Sequence, residues 1–272
     1  MEIDVLKKEE MKTRLVVKGV DVPFMNALRR TILTEVPTMA IDEVVIIENS
    51  SVLQDEVLAH RLGLTPLKTD LDSYNLPEEC SCESEFGCNL CRVSLTLDAE
   101  AKEGTRIVYS RELISDNLDV TPVSSEIPLA KLAKEQRIRL EAYARLGKGK
   151  NHAKWQPTTR CTYKYLPRIE INDEQCDKCG ECVKICPKKV FSKSGEKIEI
   201  RDFMACTLCQ DCVDVCPKDP PAVKIGWKDD SFIFNIESTG VLPPKRIMIE
   251  AVKILDEKLK QFIDEVKVKK IE

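Results

Sequence analysis

The fold of one segment is decided by the stretch CDKCGECVKICP, residues 176–187, which recurs as CTLCQDCVDVCP at residues 206–217. Each stretch reads C-x2-C-x2-C-x3-C-P, and the second follows the first at an offset of 30 residues. Such short spacers let three thiolates each hold one iron of a cubane, while the fourth thiolate, just before proline, reaches the other cluster. The pattern predicts a ferredoxin-like module with two iron–sulfur clusters, which occupies about a fifth of the chain.

The crossing of the fourth ligand assigns every cysteine of this module. The first cluster is then held by Cys176, Cys179, Cys182 and Cys216, and the second by Cys206, Cys209, Cys212 and Cys186. A zinc ribbon or a set of disulfides is the alternative, but neither calls for two four-cysteine units with matching prolines. We expect two 4Fe–4S clusters, one of which can occur in the 3Fe–4S form.

Length and composition bound the class of protein. The chain has 272 residues, 43% of them hydrophobic, and a formal net charge of -4. These values indicate a globular protein of about two domains and do not favour one that coats nucleic acid by itself. No apolar run is long enough for a membrane span, and Met1 leads into Glu2 and Asp4 instead of a signal peptide. We therefore expect a cytoplasmic protein without a membrane partner, whose cysteines are reduced thiolates.

Four further cysteines, Cys80, Cys82, Cys88 and Cys91, fall within twelve residues of a predicted loop. Four thiolates that close suit one tetrahedral zinc and leave no open position for a catalytic water. A disulfide pair is the alternative, which a reducing cytosol disfavours. The sequence predicts one structural zinc, although the C-x-C spacing is tighter than in a usual zinc knuckle.

Two amphipathic helices are predicted near the two ends of the chain. The first has Asp21 as N-cap and ends before Pro37, with an apolar stripe of Phe24, Leu28, Ile32 and Val36. The last helix runs from about residue 244 to 268. Its apolar seam follows a heptad spacing and consists of Met248, Val252, Leu255, Leu259, Phe262 and Val266. Packing on the protein's own sheet explains part of this seam, and a partner helix explains its length.

Strands are predicted between these helices. They cover residues 2–17 as a pair, then 39–47, 92–98, 106–109, 136–144, 161–171 and 231–237, with a short helix over 55–61.

Three sequence motifs point to a family. They are PFMNALRR at residues 23–30 with EVP at 35–37, HRLGLTPL at 60–67, and G-x-G-x-x-HAKW-x-P at 147–157. These motifs resemble those of the alpha-type assembly subunits of DNA-directed RNA polymerase, in the archaeal and eukaryotic branch. The cysteines of residues 80–91 fall where the eukaryotic counterpart has a zinc loop. A ferredoxin-like insertion late in the chain is a trait of the iron–sulfur form of the archaeal D subunit, and the resemblance covers nearly the whole chain.

The resemblance implies an α+β protein with a split design. A dimerisation domain of sheet and long helices would comprise residues 1–50 and 227–272. A mainly-β inserted domain with the zinc loop would cover 51–171, and the ferredoxin-like domain 172–226. The first and last helices would then form a heterodimer with the small L subunit. That pair would nucleate assembly with the large B subunit and the small N and P subunits, and would meet DNA only through the assembled polymerase.

A subunit of this kind takes part in transcription without catalysing it. The chain would be a non-catalytic part of a nucleotidyltransferase, with no catalytic residue of its own. The alternative function is an iron–sulfur electron-transfer subunit of an oxidoreductase. That alternative predicts a redox partner and a chain dominated by the cluster module, and no dinucleotide-binding G-x-G-x-x-G follows a predicted strand.

Overall fold

The computed structural model describes residues 1–268 except 83, 85, 86 and 196. The helices are α1 (Val22–Thr34), α2 (Asp55–Gly63), α3 (Glu181–Ile185), α4 (Asp211–Asp214) and α5 (Pro244–Val268). The strands are β1 (Glu2–Lys8), β2 (Lys12–Lys18), β3 (Pro37–Asn49), β4 (Val93–Glu100), β5 (Arg106–Tyr109), β6 (Ile114–Ser115), β7 (Pro128–Leu132), β8 (Arg137–Lys148), β9 (Thr158–Ile171), β10 (Phe191–Ser194), β11 (Lys197–Ile200) and β12 (Val223–Ser238). The protein is therefore of the predicted α+β class.

The chain forms two compact units. The smaller unit comprises Met1–Lys8, Arg14–Met25 and Thr162–Asn235, and the larger unit comprises Glu9–Thr13, Asn26–Cys161 and the chain from Ile236 onward. Most of a four-stranded sheet with the order β1-β2-β12-β9 belongs to the smaller unit. The antiparallel pair β10–β11 also lies there.

The core of the larger unit lies under a sheet with the order β3-β8-β4-β6. Strands β3 and β8 pair antiparallel from Pro37↔Lys148 to Asn49↔Ile138, with two register shifts. Side chains alternate between core and solvent along β4 and β8, as expected for a sheet covered on one face. Helix α2 contributes Leu58 and Leu62, both fully buried, to this core.

Helix α1 begins as predicted, because the Asp21 carboxylate accepts a hydrogen bond of 2.9 Å from the Phe24 N–H. Its apolar stripe, however, is mostly covered by other residues of this chain. Leu28, Ile32 and Val36 are buried within this chain, whereas Phe24 is 38% exposed. The expectation that the whole stripe of α1 awaits a partner is therefore wrong, since most of it is needed for the protein's own core.

The predicted strands and long helices are confirmed, with ends that differ by a few residues. Strand β12 is longer than predicted and runs through residue 226, where a domain boundary was placed. Strand β3, assigned to the dimerisation domain, pairs with β8 of the predicted inserted domain. Strands β6, β7, β10 and β11, of two to five residues, were not predicted, although the equally short β5 was. So few residues give little periodicity. The domain boundaries stay a prediction.

Among the described residues, no helix combines the length and apolar character that a membrane span requires.

Candidate metal centres and partner-binding helix

Four cysteine side chains of the larger unit converge on one point. The sulfur atoms of Cys80, Cys82, Cys88 and Cys91 all lie within 4.8 Å of one another. The Sγ atoms of Cys80 and Cys88 are 3.7 Å apart, and those of Cys82 and Cys91 are 3.9 Å apart. A tetrahedral metal with bonds of about 2.3 Å to sulfur places its ligands about 3.8 Å from one another. The spacing of these cysteines therefore fits a single tetrahedral metal ion.

Backbone N–H groups and burial shift the pKa values of the thiols in this cysteine cluster. The Cys88 N–H donates to the Cys91 Sγ at 3.1 Å, and the Leu90 N–H donates to the Cys88 Sγ at 3.4 Å. A backbone hydrogen bond at Ser84 lowers the pKa of Cys82 to about 7. Burial raises the pKa of Cys91 to about 12, so its thiolate needs a nearby positive centre. A bound metal cation would supply that charge.

The two cysteine runs of the smaller unit share one backbone conformation. Lys178 and Leu208, which precede the second cysteine of each run, have φ angles of 60° and 62°. Gly180 and Gln210, which follow that cysteine, have φ angles of 82° and 69°. Helices α3 and α4 begin one residue later in each run. The repeat in sequence is thus also a repeat of left-handed turns, which bend both loops in the same way.

Three cysteines of the second run share a cleft with one from the first run. This cleft is lined by Cys186, Cys206, Cys209 and Cys212, together with both apolar and polar side chains. Burial, together with the neighbouring thiols of Cys206, Cys186 and Cys209, raises the pKa of Cys212 to about 12. These four residues are the set predicted for the second cluster. Four soft sulfur donors lining one cleft fit an iron–sulfur cluster.

Three of the remaining cysteines, Cys176, Cys179 and Cys182, belong to the first run, and the fourth, Cys216, ends the second. Burial raises the pKa of Cys182, and the thiols of Cys176 and Cys179 add to this effect. Lys218, two residues beyond the last cysteine of the second run, forms an ion pair with Asp177, with 3.5 Å between Nζ and Oδ2. The end of the second run therefore lies against the start of the first. This placement suits the crossed ligation, which stays a prediction.

The candidate ligands differ in burial. Cys182, Cys206 and Cys212 are buried, Cys176, Cys186 and Cys216 are half-buried, and Cys179 and Cys209 are exposed. The buried three belong to a small core with Val190, Phe191, Ile198 and Val223. Nearly half of this core is cysteine, so the segment has few apolar side chains of its own with which to hold its fold.

Helix α5 buries only its beginning. Pro244, Ile247 and Ala251 are buried in the larger unit. Farther along, seam residues are open to solvent, with Val252 49%, Leu259 61% and Phe262 67% exposed. A row of exposed large apolar side chains on one helix is typical of a protein-binding surface.

Ion pairs hold α5 in the larger unit. Arg246 lies 2.6 Å from an oxygen of Asp72, outside the helix, and 3.0 Å from one of Glu250 on the next turn of α5 itself. Lys258, which directly precedes the exposed Leu259, pairs with Glu35, which follows α1. The sequence patterns did not reveal these contacts, because partners far apart in the chain leave no periodic signal.

Known proteins are similar to this chain over nearly its whole length. Residues 14–259 match the family described as the RNA polymerase Rpb3/Rpb11 dimerisation domain. The chain is 46% identical to DNA-directed RNA polymerase subunit Rpo3 of Methanothermobacter thermautotrophicus over 266 residues, 97% of this chain and 98% of the relative. It is 42% identical to Rpo3 of Methanosphaera stadtmanae over the same shares of both chains.

The similarity extends beyond these two relatives. The DNA-directed RNA polymerase II subunit rpb3 of Dictyostelium discoideum is 38% identical over 280 residues, covering 95% of this chain and 92% of that one. The family match and these relatives together cover nearly the whole chain. The chain therefore belongs to the RNA polymerase Rpb3/Rpb11 dimerisation domain family.

Proposed function

We propose that this protein is a non-catalytic assembly subunit of a DNA-directed RNA polymerase. It pairs with a small L-type (Rpb11-like) subunit, and the pair then recruits the large B subunit and the small N and P subunits. The chain meets DNA only through the assembled enzyme and contributes no catalytic residue to nucleotidyl transfer. With its thirteen cysteines free of disulfides, it suits the reducing cytoplasm.

One observation carries the proposed pairing. Within a family defined by dimerisation, α5 presents an exposed apolar seam at Val252, Leu259 and Phe262. Burying such a seam against a second helix removes apolar area from water, at roughly 25 cal/mol per Å². The ion pairs at Arg246 and Lys258 hold the helix in place before a partner arrives, which reduces the entropy lost on binding.

In this proposal the bound metals stabilise the fold and take no part in catalysis. Cys80, Cys82, Cys88 and Cys91 hold one zinc that shapes their loop. The eight cysteines of the two runs hold two 4Fe–4S clusters, one of which can occur as 3Fe–4S. When bound, the clusters supply crosslinks and core that the small apolar cluster of the segment lacks. RNA synthesis is phosphoryl transfer and uses no electrons, so the proposal assigns the clusters no redox step.

The proposed function also includes a division of the chain into domains. We propose a split dimerisation domain formed by residues 1–50 and 227–272, a zinc-containing inserted domain over 51–171, and a ferredoxin-like domain over 172–226. Support comes from the separate core around Val190, Phe191 and Ile198, which is distinct from the core of the larger unit.

Coexpression with the L-type subunit of the same organism tests the pairing. The two chains should copurify with equal stoichiometry, and the pair, but not this chain alone, should bind the isolated B-type subunit in gel filtration. A stable monomer that ignores the L-type subunit would overturn the proposal.

Native purification separates this function from the alternative. A tagged chain should bring down template-dependent RNA polymerase activity together with iron and zinc. Copurification with a dehydrogenase, and no polymerase subunits, would instead establish an electron-transfer subunit.

A further inference from the structure

Met204 ties the second cysteine run to the sheet of the smaller unit. It lies in the short turn Phe203–Ala205, two residues before Cys206. Its side chain packs against an apolar cluster formed by Val16, Leu166 and Ile233 of the sheet. The backbone that leads into the second run is thus attached to β2, β9 and β12.

Two cations reinforce this attachment through the backbone. The Lys164 Nζ donates to the carbonyl oxygens of Met204 and Cys206, both at 2.7 Å. The Arg14 guanidinium donates to the Met204 carbonyl at 3.2 Å. Lys164 is half-buried, so water competes weakly for its ammonium and the two bonds are charge-assisted. The carbonyl of a candidate cluster ligand is therefore held directly by a lysine.

The first run has a contact of the same type but in solvent. The Lys193 Nζ donates to the Lys178 carbonyl at 2.8 Å, one residue before Cys179. Lys193 is exposed and Lys178 is half-buried, and the bond between them lies at the surface. Because water and salt weaken exposed charge contacts, this bond constrains its loop less than Lys164 constrains the second run.

We propose that Lys164 is a positioning residue for the second cluster. It fixes the backbone at Cys206 so that this thiolate faces the cleft shared with Cys186, Cys209 and Cys212. Its ammonium also places positive charge beside an anionic cluster. This inference rests on the proposed cluster ligation and adds an asymmetry to it: Lys164 protects the second cluster and not the first.

Cysteine-resolved alkylation tests the asymmetry. The full chain, prepared anaerobically with its clusters, is challenged with an iron chelator, alkylated at successive times and analysed by mass spectrometry. In Lys164→Met, the cysteines at 186, 206, 209 and 212 should react roughly tenfold faster than in the parent, as loss of a charge-assisted hydrogen bond implies. The other four cluster cysteines should keep the parental rate.

Two further variants separate positioning from general stability. Lys164→Arg should restore most of the protection, because a guanidinium can also donate to both carbonyls. Lys193→Met removes the lysine that binds the backbone of the first run and should leave the second set at the parental rate. In potentiometric titrations, Lys164→Met should lower the midpoint potential of one cluster only, because the reduced cluster loses a compensating charge.

Three results would count against the inference in distinguishable ways. Unchanged alkylation in Lys164→Met, or equal acceleration at all eight cysteines, would overturn the positioning role while leaving the clusters in place. Should Lys164→Met fold poorly, Lys164→Leu, which also lacks a donor, carries the same expectation. Immediate alkylation of all eight cysteines in the parent, without bound iron, would refute the proposed ligation itself.

Discussion

The Glu35 carboxylate, just beyond α1, forms an ion pair with Lys258 in the middle of α5, with 2.9 Å between Oε1 and Nζ. Its second oxygen lies 3.5 Å from the Nζ of Lys150, in the turn after β8. In that turn Gly149 approaches the Leu33 carbonyl oxygen so closely that any Cβ would collide with it. One carboxylate therefore joins three segments of the larger unit and fixes the point from which the exposed end of α5 extends.

The Glu35 contact predicts a pH-dependent contribution to stability. Burial raises the pKa of Glu35, but Lys258, Lys150 and Lys148 outweigh it and lower the pKa below its usual value. A carboxyl with a lowered folded-state pKa stabilises fully above its unfolded value of about 4.3 and loses this effect as pH falls through the folded value. We expect Glu35→Gln to cost roughly 0.5–1 kcal/mol near neutral pH, since both main lysine partners are half-exposed.

Thermal unfolding over a pH series provides the measurement. The difference between Glu35→Gln and the parent should shrink as pH falls below about 4.3 and should also shrink in high salt. Glu265→Gln, which changes an exposed glutamate on the same helix, is the matched control and should unfold like the parent. A deficit of Glu35→Gln that stays constant down to strongly acidic pH would refute the electrostatic explanation.

A charge placed in the apolar seam of α5 should weaken binding of the L-type subunit, whereas a charge elsewhere on the helix should not. Leu259 is 61% exposed in this chain, so Leu259→Asp should leave its own stability nearly unchanged. In the pair, the aspartate would meet an apolar partner surface and should weaken binding of the L-type subunit at least tenfold, as truncation of interface anchors does. Gln261→Asp adds the same charge on another side of the helix and should bind normally. Isothermal titration with both variants distinguishes the surfaces, and equal binding by all three proteins would exclude the seam.

Much of this architecture could be predicted from the sequence because its signals are local. The cysteine spacings, the cap at Asp21 and the heptad seam of α5 each occupy a short stretch, and the structure contains the corresponding loops and helices. The stripe of α1 shows the limit of such patterns. Periodicity identified the apolar face correctly, but it could not tell whether that face is covered by the same chain or by another.

The contacts missed by sequence reasoning are long-range. Glu35 meets Lys258, and Lys164 meets the backbone at Met204 and Cys206, over separations that depend on the tertiary fold. Lysine and glutamate occur throughout this charged chain, so their type and spacing do not single these residues out. The bonds from Lys164 to backbone carbonyls can be identified only once the tertiary structure has brought β9 next to the second cysteine run.

Loss of the proposed zinc should disturb the structure only around the loop of residues 80–91. Cys88→Ser should reduce bound zinc to near zero, because serine is a poor ligand for a metal held by soft sulfur atoms. Exchange of backbone amides should rise around residues 80–92, while the core containing Leu95 and Leu140 keeps its protection. Assembled polymerase with this subunit should still add nucleotides.

Cys161→Ser is the control for the zinc experiment. Cys161 is buried in β9, where burial raises its pKa to about 12, and it lies outside every proposed ligand set. This variant should retain zinc and iron at parental levels. Retention of full zinc content by Cys88→Ser would show that this cysteine is not a ligand.

Removal of iron predicts unfolding of one segment. The core around Val190, Phe191 and Ile198 includes three cysteines and few large apolar side chains, so without clusters it should lose its structure. Hydrogen exchange should increase over about residues 172–226, whereas the buried residues under sheet β3-β8-β4-β6 should be little affected. Restoring iron and sulfide anaerobically should restore protection. Uniform loss of protection in both regions would contradict a locally structural role.

If the ligation is crossed, replacing the fourth cysteine of one run should impair the cluster held by the other run. Cys186 lines the cleft with the second run, and Lys218 binds Asp177 at the start of the first. Cys216→Ser should therefore impair the cluster held by the cysteines at 176, 179 and 182 and leave a three-iron form there. The reciprocal variant, Cys186→Ser, should impair the cluster of the second run.

Paramagnetic resonance on the two variants can separate these outcomes, because an oxidised three-iron cluster gives a signal that an oxidised cubane does not. Each variant should show one such signal together with one intact cubane, which is reduced by dithionite. Alkylation should then identify the site: Cys216→Ser should expose the first-run thiols and leave Cys206, Cys209 and Cys212 protected. Were each cluster held only by its own run, Cys216→Ser would expose the second-run thiols instead, and the short contact between Lys218 and Asp177 would have no bearing on cluster binding.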